Sequence, residues 1–180
     1  MENSYTKKLV VSALLCAIGI VIPIISPFKI ILEPASFTLG SHIAIMIAMF
    51  ISPAVAVTVS LGTAAGFFFG GFPLVIVLRA ATHVVFALVG AYVLQKKLYI
   101  LKSPLNMGVF SAGISIIHAI GEVAIVTAFY FGNNMSQAYY AQGFATSVML
   151  LVGAGTFVHS MIDFSIALAL WKTLCKTRSF

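Results

Sequence analysis

Long apolar runs recur along this chain at lengths suited to crossing a lipid bilayer, and that repetition constrains the fold more than any single motif. A helix crossing the hydrocarbon core needs roughly 17 to 25 mostly apolar residues. Candidate segments lie at about 9–27, 39–51, 54–70, 74–95, 107–131 and 146–172. The second is short, and only Ser52-Pro53 separates it from the third. Charged residues make up 8% of the 180 residues, too few to cover the surface of a soluble domain. The expected fold is an all-α membrane protein, a bundle of about six transmembrane helices in a single integral membrane domain over 1–180. The first run follows Lys7-Lys8 but exceeds the length of a signal-peptide core and lacks an A-x-A cleavage site, so it reads as a retained first helix.

Lysine and arginine placement orients such a bundle. Six spans put the N-terminus, the 52–53 turn, the 96–106 loop and the C-terminus on one side, with Lys7, Lys8, Lys96, Lys97, Lys102, Lys172, Lys176 and Arg178. The opposite side has only Lys29. Both termini are therefore expected in the cytoplasm. The net charge of +6 reflects these flanks rather than a phosphate-binding patch, and no nucleic-acid partner is expected. Cys16 and Cys175 have no disulfide or zinc spacing. No internal repeat supports an inverted-repeat transporter.

The chemistry lies in the polar residues within these apolar runs. Ionisable groups at membrane depth are costly and usually mark a site or pathway. Arg79 and His83, His118 and Glu122, and His159 and Asp163 form three pairs spaced four residues apart, one pair on each of the last three spans. In a helix that spacing puts both members on one face. Counted from the cytoplasmic ends, Arg79 and Glu122 fall at one height, the histidines one turn deeper and Asp163 deeper again. Facing helices would pair Arg79 with Glu122, while the histidines link that layer to Asp163. One reading is a satisfied polar network that fixes helix packing. The other is a site for a small anion, with the Arg79 guanidinium suited to a carboxylate and neutral histidines suited to a heterocyclic nitrogen. His42 stands alone at the outer start of the second span, as an interfacial residue or a ligand contact. The connection leading to it, 28–38, is long enough to fold over the outer face as a lid. The uncharged Asn/Gln/Tyr loop at 132–145 is a second candidate lid or a plain solvated connection.

Catalytic signatures are missing from the sequence. There is no H-E-x-x-H, no G-x-S-x-G elbow and no Walker A loop, so no resident metal or cofactor is expected and the chain cannot hydrolyse ATP itself; active transport would draw its energy from a partner or an ion gradient. A metal-dependent membrane enzyme built on the His/Asp/Glu set is the alternative of a different class. Ala13 and Ala17 make a small-xxx-small pattern on the first span, which permits close approach of another helix. Gly62 and Gly66 mark a small face on the third span, and Gly153 with Gly155 a bend near the sixth.

Size, span number, the Ala13/Ala17 motif and the outer loops after spans one and five together resemble the substrate-binding S components of energy-coupling factor vitamin transporters. The resemblance implies a multi-pass protein of the bacterial inner membrane that captures a vitamin from outside. It further implies pairing with a transmembrane coupling subunit, docked through Ala13 and Ala17, and with two ATPase subunits. The segments Glu33-Pro-Ala-Ser-Phe-Thr-Leu-Gly-Ser-His42, Gly71-Phe-Pro-Leu-Val-Ile-Val-Leu-Arg79 and Arg79-Ala-Ala-Thr-His83 are most similar to the niacin-specific branch. Nicotinate offers a carboxylate for Arg79 and a ring nitrogen for a histidine, and the pantothenate branch is the rival. The expected substrate-binding residues are Arg79, His83, His118 and Glu122, with His42 and His159.

Overall fold

The computed structural model describes residues 2–32 and 35–176. Glu33 and Pro34 of the first connection and Arg178 of the basic tail lie outside them. Helix α1 spans Glu2–Ile25, followed by strands β1 (Lys29–Leu32) and β2 (Ala35–Thr38). Next come α2 (Ile43–Ile51), α3 (Pro53–Phe69) and α4 (Leu74–Lys96), then a 3-10 turn at Leu98–Lys102. Helix α5 (Pro104–Phe131) and the short α6 (Gln137–Ala141) precede a ten-residue π segment, Ala145–Ala154, which runs directly into α7 (Gly155–Lys176). Among the described residues, four helical stretches are long and apolar enough to cross a membrane: Tyr5–Ile25, Leu74–Lys96, Pro104–Phe131 and Ala145–Lys176. Large apolar side chains such as Leu14, Phe69, Leu105, Ile120 and Leu150 face outward, as a surface solvated by lipid requires.

Local chemistry sets the breaks. Ser52 is extended between α2 and α3, and its hydroxyl accepts a hydrogen bond from the Val55 N–H while Pro53 opens the new helix. Pro73 precedes α4 and Pro104 begins α5. The connection at 28–38 departs from the all-α expectation. Its two strands pair antiparallel, with Lys29 opposite Thr38 and Leu32 opposite Ala35. The run Lys29-Ile30-Ile31-Leu32 favours extended backbone, and the pairing satisfies the N–H and C=O groups on its inner edge locally.

The bundle packs α3 against α4, α4 against α5, and α1 against α3. Glycines bring α1 and α3 together: a Cβ at Gly62 would fall 2.5 Å from Cys16 Sγ, and one at Gly66 would collide with Ile20. The Gly62/Gly66 face thus serves packing inside the bundle. Ala13 and Ala17 point the other way, exposed beside Leu14 and Ile18 on the outward face of α1. The largest core cluster, with Met46, Met49, Phe86 and Phe164, fills the half of the bundle below the polar residues.

Candidate ligand site at the centre of the bundle

Two buried carboxylates organise the polar residues. Glu122 on α5 takes Arg79 Nη2 at 2.6 Å and Thr156 Oγ1 at 2.9 Å on its Oε2 atom. Its Oε1 faces His83 Nε2 at 3.3 Å and His118 Nε2 at 3.5 Å. One carboxylate therefore ties α4, α5 and α7 together. An unpaired buried charge is strongly destabilising, so the guanidinium and hydroxyl are needed to keep Glu122 in the interior.

Asp163 on α7 serves the turn that follows the hairpin. Its Oδ1 accepts the Gly40 N–H at 2.8 Å, and Oδ2 accepts the His42 N–H at 3.0 Å. The same Oδ2 lies 3.0 Å from His42 Nδ1 and 3.3 Å from His159 Nε2. Gly40 adopts φ +85°, a left-handed conformation that glycine enters without steric penalty, and in this turn the N–H groups of Gly40 and His42 both point to one carboxylate. Ser41 Oγ lies 3.1 Å from His159 Nε2 and closes the ring of contacts.

All four histidines of the chain converge. The His42 ring centroid lies 4.8 Å from that of His83, 4.6 Å from His118 and 5.1 Å from His159, and His83 and His118 are 4.6 Å apart. His42, which the sequence leaves between interfacial residue and ligand contact, is 8% exposed and sits at the middle of the cluster. Beside the cluster is a cavity of about 120 Å³. Ile45, Phe67, Phe72 and Ile76 give it an apolar wall, while Arg79, His83, Glu122, Thr156 and His159 give it a polar one. Phe37 and Thr38 of the hairpin cover one side, with Phe37 packed 5.5 Å from the His159 ring. His118 lies behind this lining, beneath His42 and His83 and against Phe86. Arg79 Nε is buried without a partner and keeps a donor in reserve beyond the contact with Glu122. A cavity of about 150 Å³ lined by apolar side chains holds one benzene molecule, so this space is on the scale of a single six-membered ring.

Ser41, Thr38, Phe37, Thr156 and the apolar wall also belong to the cavity, and sequence reading did not single them out. They are ordinary residues in a membrane helix or loop, and only the fold brings them to the ring of histidines. The run Glu33–His42 carried a partial signal for them, because it leads into His42.

Among known proteins, no family model and no solved structure matches the chain. Over 175 residues, covering 97% of this chain and 78% of the relative, it is 41% identical to the niacin transporter NiaX of Lactococcus lactis subsp. cremoris (strain MG1363). Identity of that extent places the chain in a transport family rather than among metal-dependent enzymes. The protein belongs to the NiaX family, the niacin-type branch of the energy-coupling factor S components.

Proposed function

We propose that the protein captures nicotinate from outside the cell, as the membrane-embedded binding subunit of an ATP-driven importer. The observation that carries this reading is the pairing of a ring-sized apolar slot with the Arg79 guanidinium, whose Nε is buried and unpartnered. A carboxylate meeting that group gains charge-assisted hydrogen bonds in a site with little competing water. His42, His83 and His159 stand within reach of a ring nitrogen, and His118 and Glu122 hold the other groups in place.

In this reading the chain crosses the bacterial inner membrane six times, with α2 and α3 as two short crossings joined at Ser52-Pro53 and both termini in the cytoplasm. Seven lysines at the ends of α1, α4, the 3-10 turn and α7 are exposed and would lie on the cytoplasmic face. The hairpin and the 132–145 loop would then face outward, the hairpin as the lid. Family membership implies a transmembrane coupling subunit and two ATPase subunits, which would supply the ATP hydrolysis for which this sequence has no Walker A loop. The exposed Ala13/Ala17 face of α1 fits the docking of that coupling subunit.

Calorimetric titration of the purified chain in detergent with nicotinate, nicotinamide and pantothenate tests the substrate. Tight binding of nicotinate, with nicotinamide much weaker for want of the carboxylate charge, is the expected result. Preference for pantothenate, a longer and more flexible acid than the slot accommodates, would overturn the assignment of nicotinate while leaving a carboxylate site.

A further inference from the structure

The charges around the cavity do not suit an anionic ligand by themselves. Among the described residues, Arg79 supplies one positive charge against the two negative charges of Glu122 and Asp163. With neutral histidines the site carries one negative charge before any ligand enters. Adding a carboxylate would place two net negative charges in a buried space, where each uncompensated charge is expensive. Capture of nicotinate, the reading on which this inference rests, calls for additional positive charge beside Arg79.

The geometry points to a divalent metal ion of the zinc class, held by His42, His83, His118 and Glu122 at the floor of the cavity and bound together with the substrate anion. One ligand atom from each of these residues lies within 4.8 Å of all the others. Around a tetrahedral ion with bonds of about 2.1 Å, neighbouring ligand atoms stand roughly 3.4 Å apart. Glu122 Oε1 stands 3.3 Å from His83 Nε2 and 3.5 Å from His118 Nε2. At 1% exposure, His118 has no hydrogen bond on either ring nitrogen, a state that a metal bond would relieve. His42 Nδ1 faces Asp163, the carboxylate–histidine arrangement that orients metal ligands, and Nε2 is the ring nitrogen that would bind the ion. Glu122 is oriented in the same way, because Arg79 and Thr156 occupy Oε2, while Oε1 faces His83 Nε2 and His118 Nε2, the nitrogens that would join it on the ion. A divalent ion turns the site from one negative to one positive charge, and the carboxylate of the substrate then brings it to neutrality. Zinc accepts a fifth ligand or exchanges one of four, so the substrate anion can bind the ion directly from the cavity side.

The test uses the full chain, purified without a polyhistidine tag. Metal content is measured by mass spectrometry, and nicotinate is titrated before chelation, after chelation and after zinc is restored. The expected result is about one tightly held ion per chain, with nicotinate affinity falling by roughly tenfold or more on chelation and recovering with zinc. Cobalt loading should give the intense visible absorption of a tetrahedral site. His118→Gln should lose the ion while keeping a helical, monodisperse protein. Asp163→Asn, which removes one negative charge and weakens the acceptor that holds the His42 ring and backbone, should weaken metal binding by roughly 10- to 100-fold. Should His118→Gln fail to fold, the cobalt spectrum and the chelation series on the unaltered chain decide the matter. Metal-free protein that binds nicotinate as tightly as the zinc-loaded form would overturn the inference and leave the nicotinate reading standing, with protons on the histidines as the charge supply. If neither form binds nicotinate, the substrate reading fails, and one tightly held ion or none then decides the metal site alone.

Discussion

At the residue scale, Arg79 and Glu122 act as one unit, and their substitutions should be read together. Glu122 is 4% exposed, and its strongest partner is the Arg79 guanidinium at 2.6 Å. Arg79→Gln removes the cation but leaves the carboxylate buried, a loss of about 3–5 kcal/mol for a broken interior pair. The single variant should therefore unfold at a clearly lower temperature in detergent and bind no nicotinate. The double variant Arg79→Gln/Glu122→Gln removes both charges and should recover most of the stability without recovering binding. Thermal unfolding beside calorimetric titration separates the two effects. A double variant that binds as the unaltered chain does would remove Arg79 from the site. Arg79→Lys is no rescue, since an ammonium cannot reach Glu122 and a second carboxylate through the fork that a guanidinium offers.

Elements explain how the site is covered. The hairpin reaches the cavity through Phe37, and Phe37 has room because position 155 is glycine. A Cβ at Gly155 would fall 2.6 Å from Phe37 Cζ and 3.1 Å from Cε2. Gly155 stands where the π segment gives way to α7, next to Thr156, so the change in helical winding and the seat of Phe37 coincide. Gly155→Val should push Phe37 off the His159 ring and lower nicotinate affinity by roughly tenfold, mainly through faster release. Stopped-flow dissociation measures this, and an unchanged release rate would remove the hairpin from the gate. Phe37→Ala should produce a similar release rate without the clash.

For the whole molecule the questions are which face meets a partner and which side meets the cytoplasm. Helix α1 is the least buried of the four membrane-competent stretches, and Ala13 and Ala17 lie on its exposed side. Ala13→Trp adds bulk there without touching the cavity. It should leave nicotinate binding by the isolated chain unchanged and stop uptake in cells that supply the coupling subunit and ATPases. Normal uptake with normal expression would count against docking through α1. Cys175 is exposed in the last turn of α7, beside Lys172 and Lys176. In a Cys16→Ser background, a membrane-impermeant maleimide should label Cys175 only after cells are opened. Labelling of intact cells would reverse the orientation drawn from lysine placement.

The apolar runs, their helix-breaking Ser-Pro and Gly-Gly-Phe-Pro sequences, and the polar pairs at a spacing of four were legible in the sequence, because hydropathy, capping and helical periodicity are local properties. Arg79 and Glu122 also revealed themselves as partners, since counting along straight helices from a common membrane boundary gives depth to within a turn or so. His42 was not legible in the same way. Its place depends on a positive-φ glycine, a hairpin and a carboxylate 121 residues away, and no local pattern links those three. The direction of the small faces was equally hidden: Gly62/Gly66 and Ala13/Ala17 have the same spacing, yet one packs inside and the other faces out. The sequence by itself determined which segments are helical and which polar residues share a face. Only the tertiary structure decided that four histidines and two carboxylates from three helices and the turn before α2 gather in and behind the wall of one cavity, because such convergence depends on how the helices pack and not on the order of residues within any one of them.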